Sequence, residues 1–369
     1  MNKTLLAIAA LAATSGAFAQ SSVTLYGVVD ASIETVKGTK SVTRVSSDNL
    51  ATSRLGFKGS EDIGGGLRAN FALETAVKAD TGAQGNTARF FDRAAWVGLQ
   101  GGFGELRLGR IDSSIGALAG DTKVLGAQAY DDFKIAKTRA GDSYRRIDNA
   151  ITYVLPTFLP GLSAQLQYST AVGNSGATTS LVGTEAAGTN AGKAFGLNVK
   201  YLAGPFSAGL GYLSAKDETG LIAASATAVG NVGNKGNATL VYAGYDFGVL
   251  KLTGYYDSES QVTGADRLSL VGVRVGVPIT ADFTLQASLS EARNVGYAAG
   301  VSNSNHDDAT IASVKAVYTL SKRTSVYGLV TNVHNESGSA LNVASLTAPT
   351  AATAGKSSHG VAFGIAHAF

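Results

Sequence analysis

The chain has 369 residues, no cysteine, 46 glycines and only 5 prolines, and its 30 lysines and arginines nearly balance 27 aspartates and glutamates. That balance offers no basic stripe for nucleic acid, and no apolar run approaches the roughly 18 residues of a membrane-spanning helix. Abundant glycine and 14 tyrosines without a long apolar run instead suit strands in which apolar and polar residues alternate through a membrane.

The N-terminus reads as an export signal. Met1-Asn2-Lys3 is a short charged start, residues 5–13 are apolar, and Ala17-Phe18-Ala19 is a small-x-small cleavage box. The expected processing site follows Ala19, so residues 1–19 are removed and 20–369 form one domain. Val23, Leu25, Gly27, Val29, Ala31 and Ile33 then share one parity, opposite Thr24, Tyr26, Val28, Asp30, Ser32 and Glu34. A polar loop is expected to about Asn49. Leu55 and Phe57 alternate with Arg54, Gly56 and Lys58, and after a glycine turn Leu67, Ala69, Phe71 and Leu73 alternate with Arg68, Asn70, Ala72 and Glu74.

The same grammar recurs downstream. Leu162, Ala164, Leu166 and Tyr168 oppose Ser163, Gln165, Gln167 and Ser169; Phe283, Leu285, Ala287 and Leu289 oppose Thr284, Gln286, Ser288 and Ser290. Period two with one polar face means strands whose polar side meets water. Tight connections at residues 64–66, 101–104, 156–161, 204–205, 246–249, 278–282 and 320–323 alternate with long polar stretches such as 173–192, 217–236 and 335–358. Short turns at one end and long loops at the other mark an outer-membrane barrel, all-β and antiparallel, and counting gives about 16 strands, enough to enclose an aqueous channel.

The last stretch carries the same logic. Val361, Phe363, Ile365, His367 and Phe369 form a bulky face, and Ala362, Gly364, Ala366 and Ala368 a small one. An open apolar edge strand invites aggregation, so this strand is expected to pair with the first and close the barrel. Residues 112–145 break the rhythm, and a long ordered loop is usually functional.

Catalytic and metal motifs are absent. The four histidines, His306, His334, His359 and His367, have no metal-ligand spacing, and neither H-E-x-x-H nor G-x-S-x-G occurs. No cofactor is expected. An outer-membrane hydrolase lacks its serine–histidine pair, while an adhesin with a blocked lumen would fail to conduct.

Three segments carry a family resemblance: Ser22-Val-Thr-Leu-Tyr-Gly-Val-Val-Asp30, Ser53-Arg-Leu-Gly-Phe-Lys-Gly-Ser-Glu-Asp-Ile-Gly-Gly-Gly-Leu67 and Arg93-Ala-Ala-Trp-Val-Gly-Leu-Gln-Gly-Gly-Phe-Gly-Glu-Leu-Arg-Leu-Gly-Arg110, with Phe369 at the end. In these the chain resembles the Gram-negative general, non-specific porins, specifically the betaproteobacterial branch. The resemblance implies a homotrimer of sixteen-stranded barrels in outer-membrane lipid, each with its third long loop (residues 112–145) folded into the lumen. It further implies that Phe369 is the signal read by the barrel-assembly machinery. It carries an arginine cluster onto Arg54, Arg93 and Arg146, facing acids of the inward loop. Alternation independently puts Arg54 and Lys58 on the polar face, and Arg146 opposite Ile147, Ile151 and Tyr153 in parity. The third loop lacks the Pro-Glu-Phe segment of the enterobacterial pattern, leaving Asp121, Asp131 and Asp132 as the available acids.

Arg110 shares parity with Leu106 and Leu108 and so points outward. A charge facing lipid is costly, so a protein partner is expected there, an acid from the second loop of a neighbour; the alternatives are snorkelling to the membrane interface or a bulge that turns it inward. The implied function is passive diffusion of ions and small hydrophilic solutes through a water-filled channel. Basic residues outnumber acids at its narrowest point, which favours anions weakly. The alternative is a channel selective for phosphate or organic anions, groups that arginine recognises well.

Overall fold

Alternating apolar and polar side chains cannot both be satisfied unless one sheet face meets lipid or core and the other meets water. The computed structural model shows how the chain does this. It describes residues 22–122, 130–138, 140–141, 144–173, 192–217, 234–260, 267–295, 307–343 and 353–369. The expected export signal lies outside these. Seventeen strands occur among the described residues: β1 (Ser22–Lys37), β2 (Ser41–Ser47), β3 (Arg54–Gly64), β4 (Leu67–Ala76), β5 (Ala94–Gly101), β6 (Gly104–Asp112), β7 (Arg146–Val154), β8 (Leu162–Ser169), β9 (Ala194–Ala203), β10 (Phe206–Asp217), β11 (Asn234–Asp246), β12 (Lys251–Glu259), β13 (Leu268–Pro278), β14 (Phe283–Arg293), β15 (Ala309–Ser321), β16 (Thr324–Asn335) and β17 (Ser358–Ala368).

Seventeen strands fill sixteen positions. Ser22 to Val28 of β1 pairs with β3, and Ala31 to Lys37 pairs with β2 on the same edge. β2 and β3 are therefore one wall strand, interrupted at residues 48–53. The polar loop expected up to Asn49 is in fact mostly this second strand. At the interruption Asp30 replaces the lost ladder partners: its carboxylate accepts from the backbone N–H of Leu50 at 2.6 Å and Ala51 at 2.7 Å, and from the Tyr327 hydroxyl at 2.6 Å. Buried N–H groups need such partners.

The barrel closes where expected. β17 pairs antiparallel with β1, from Lys37 opposite His359 to Val28 opposite Ala368. Phe369 continues the ladder, its N–H donating to the Gly27 carbonyl at 3.1 Å while the Gly27 N–H donates back at 3.2 Å. Its ring lies on Gly27, and a Cβ there would collide with the ring tip.

The faces divide as the alternation predicts. Leu25 is 54% exposed on the outer surface, and Val29, Phe57, Leu166, Tyr168, Leu285 and Phe363 are also exposed, while Phe71, Leu197 and Tyr201 are half-buried. On the inward face Thr152, Gln167, Ser169 and Asn198 are polar and covered, while Leu213 and Leu240 are apolar where the third loop lies on them. Arg110 takes the bulge route. The register shifts between Gly109 and Ile111, and Arg110 is 7% exposed. It pairs with Asp148 of the same chain, whose other oxygen takes Arg89 at 2.9 Å. Its Nε donates to the Asp92 carbonyl at 2.7 Å. β7, through Asp148, and the segment between β4 and β5, through Arg89 and the Asp92 carbonyl, thus supply its surroundings within one chain.

Among its described residues the third loop carries two short helices that alternation did not reveal, α1 (Ser114–Asp121) and α2 (Asp132–Ile135). Ser113 caps α1 by accepting from the Gly116 N–H at 2.9 Å. Ile115 and Leu118 of α1 and Phe133 and Ile135 of α2 belong to one buried apolar cluster with the wall residues Leu213, Leu240, Tyr242 and Tyr255. A helix can lie this close because the wall is low there: a Cβ on Gly211 would stand 2.5 Å from Leu118 Cδ1 and 3.1 Å from the Ser114 carbonyl oxygen. Burying apolar side chains stabilises at roughly 25 cal/mol per Å², which holds the loop against the inside of the wall.

Candidate pore constriction

Polar anchors fix the loop as firmly as its apolar face does. At its start the Ser114 hydroxyl donates to the Tyr212 carbonyl at 2.6 Å, and Asn198 Nδ2 donates to the Ser114 carbonyl at 3.1 Å. On the first strand the Tyr130 hydroxyl donates to Glu34 at 3.0 Å. Burial, with Glu34 beside it, pushes the Tyr130 phenol well above its ordinary range, so it remains a donor at neutral pH. On the far wall Asp132 pairs with Arg274 at 2.5 Å and accepts from the Tyr255 hydroxyl.

This anchoring corrects the expected roles of two acids. Asp131 and Asp132 are each 2% exposed. Asp131 caps α2 by accepting from the Phe133 N–H, and Asp132 is spent on Arg274, so neither presents its carboxylate to the lumen water. Asp121, at the end of α1, is half-exposed and pairs with Lys200 of β9 at 3.0 Å.

The wall opposite is basic. Arg54 opens β3, Arg93 immediately precedes β5, and Arg146 opens β7. Arg93 acts electrostatically on both Arg54 and Arg146, so the three share one arc. Glu74 on β4 sits among them, 2.5 Å from Arg93 Nε and 3.7 Å from Arg54 Nε, and it accepts from the Tyr26 hydroxyl at 2.9 Å. Asp112 pairs with Arg146 at 3.0 Å and lies 4.0 Å from Arg145. Lys58 lies over the Tyr26 ring, 5.2 Å from its centre. The arc therefore brings together Arg54, Lys58, Arg93, Arg145 and Arg146 with two carboxylates, Glu74 and Asp112. Sequence reasoning placed Glu74 on the polar face and Asp112 in the loop but gave neither a part in the cluster. Only cross-strand register reveals that Glu74 stands beside the arginines.

A closed sixteen-position barrel with an inward loop facing a basic arc is a pore architecture, and the comparisons agree. A sequence model of the Gram-negative porin family matches residues 7–338. The chain belongs to the Gram-negative porins. This porin is 33% identical to outer membrane porin protein 32 of Delftia acidovorans, with all of both chains covered. It is 31% identical to an outer membrane porin protein of Bordetella pertussis over 68% of each. These are relatives in the betaproteobacterial branch that the motifs pointed to. Among solved structures it is similar to an anion-selective porin from Comamonas acidovorans, with a TM-score of 0.74 and 27% identity over 95% of this chain and 100% of the other. The fold is also that of OmpF from Salmonella typhi, with a TM-score of 0.63 and 17% identity over 94% and 97% of the two chains. The porin resides in the outer membrane and is a passive channel, not an enzyme.

Proposed function

We propose that this porin admits small hydrophilic solutes and ions with a weak preference for anions, set at a constriction formed by Arg54, Lys58, Arg93 and Arg146 against the inward loop. The observation that carries this reading is the excess of positive charge on one arc: five cations stand with Glu74 and Asp112, while Asp131 and Asp132 are withdrawn from water. A positive ring in a narrow, low-dielectric passage favours anions. Asp121 and its partner Lys200 moderate the field from the loop side. The relative from Comamonas acidovorans, anion-selective by description, supports the same sign.

The reading extends to assembly. The porin works as a homotrimer, Phe369 is read by the barrel-assembly machinery, and residues 1–19 are removed after export. Support comes from the family, from the match to a trimer form of OmpT from Vibrio cholerae as a fold, and from the accessible Phe369 ring.

Planar-bilayer recording of the purified porin in a salt gradient tests the selectivity. The reversal potential should report anion preference that shrinks as salt screens the ring over a Debye length of about 10 Å at 0.1 M. Arg54→Ala and Arg146→Ala should each shift it towards cations. A cation-preferring wild type, unmoved by either change, would refute the assignment.

A further inference from the structure

Behind the loop, on the wall away from the basic arc, several buried polar atoms have no partner among the described residues. Arg274 of β13, Ser288 of β14 and Ser313 of β15 are in register, and the next inward row holds Gly276, Gln286 and Lys315. Arg274 gives one end of its guanidinium to Asp132, at 2.5 Å. Among the described residues its buried Nε and Nη1 have no acceptor, and neither Ser288 Oγ nor Gln286 Oε1 has a partner. Lys315 is 7% exposed, and no carboxylate pairs with it among the described residues. The charged neighbour acting on it is Arg274, a like charge. Asp132 offsets one of these two cations, and Asp131 acts on Arg274 alone of the pair.

Such an arrangement is incomplete. A buried cation without a counter-charge is costly, and each buried donor left unmade adds to the cost. Water could accept the donors but would leave the charge of Lys315 unbalanced. The wall also leaves room. A Cβ built on Gly276 would meet nothing nearer than Gln286 Cγ at 3.7 Å and Nε2 at 3.8 Å, so space opens on β13 beside Gln286, one row from Arg274 and across Gln286 from Lys315. The free donors are of the kind that bind anions: a guanidinium edge, a hydroxyl and an ammonium. The Gln286 amide joins them by presenting its nitrogen.

We propose that a small inorganic anion of the halide type binds here, held by Lys315, Ser288 and the unpaired edge of Arg274, with Gln286 at its side. The site is separate from the constriction and does not depend on the channel's selectivity. Through Arg274 and Asp132 it couples to the seat of the third loop, so the bound anion is a structural ion of the loop anchor rather than a permeating one.

Crystals of the intact porin grown in bromide, with anomalous diffraction measured at the bromine edge, test this. The wild type should show a bromide peak within hydrogen-bonding distance of Lys315 Nζ and Ser288 Oγ. Lys315→Met, which removes the charge at similar length, should abolish that peak and leave the reversal potential anion-preferring. Ser288→Ala should weaken bromide binding about tenfold, the loss of one hydrogen bond to a charged partner, and it keeps the test decisive should the methionine variant fail to fold. Ordered water alone at this position in the wild type would overturn the proposal, as would a bromide peak unchanged in either variant. A cation-preferring wild type with the bromide peak in place would refute the selectivity reading and leave this site standing.

Discussion

Replacing Asp132 with alanine tests the far-wall anchor of the loop. The Arg274–Asp132 pair spans 2.5 Å with both side chains 2% exposed, and the guanidinium also lies 4.2 Å from the Tyr255 ring centre and 5.5 Å from that of Phe133. Removing one member of a buried pair costs about 3–5 kcal/mol, because the remaining charge stays buried and unmatched. Lys315 stands beside Arg274 as a like charge while Asp131 remains as a carboxylate acting on it, so the two neighbours oppose each other and the loss falls within that range. Every 1.4 kcal/mol is tenfold, so the seated loop loses roughly two to three and a half decades of its advantage over the detached one. The strand ladders are untouched, so the barrel itself should still form. Single-channel recording is the direct assay: Asp132→Ala should show larger or fluctuating conductance, with a loop newly sensitive to protease. The double variant Asp132→Ala with Arg274→Met removes both charges and should recover most of the wild-type behaviour, since a buried pair replaced by apolar groups is often neutral. Wild-type conductance and protease resistance in Asp132→Ala would show that the pair does not hold the loop, and the reasoning would fail.

Other perturbations address other parts of the fold. Val314 is 48% exposed in the middle of β15, and Val314→Arg should cost roughly 2–4 kcal/mol of barrel stability in lipid, read as a lower heat-resistance temperature; unchanged resistance would place that face away from lipid. Gly211→Val should push α1 off the wall through Leu118 and Ser114, changing the conductance while leaving the barrel's strand content by circular dichroism intact. Asp148→Ala strands Arg89 and Arg110 without their shared carboxylate and should speed proteolysis between residues 77 and 93; a cleavage rate equal to wild type would discount that anchor. Deleting Phe369 should reduce outer-membrane yield far more than refolding yield in detergent, and equal losses in the two would argue against a role in assembly.

The wall was legible in the sequence because a strand's period of two declares its faces residue by residue. The closing strand could be read for the same reason: Phe363 and Ile365 face out while Ala362 and Ala366 face in. Parity fails where the backbone slips. Arg110 follows a glycine with φ of +132° at a register shift, and one extra residue reverses a face. The loop was harder still. Asp131 and Asp132 are acidic residues in a long polar-looking segment, and nothing local distinguishes a carboxylate facing water from one buried against Arg274, more than a hundred residues away in sequence. The helix α1 is only eight residues long and rich in alanine and glycine, and its stability comes from the wall beneath it more than from its own propensity.

The pairing of β1 with β17 has a kinetic consequence. Each other ladder, apart from β1 with the downstream half of its neighbour β3, joins strands adjacent in sequence, so the wall grows by local hairpin steps. The seam instead brings together segments more than three hundred residues apart. By loop-closure entropy alone, joining ends that distant costs about 3 kcal/mol more than closing a ten-residue hairpin, and non-local pairings of this kind slow folding. Until the seam forms, the growing sheet carries two unpaired edges, each a template for the wrong partner. The slow step should therefore be seam closure. Substitutions along Ser32, Ile33 and Gly364 would then delay assembly, whereas equally destabilising changes in β12 or β13 would mainly hasten unfolding.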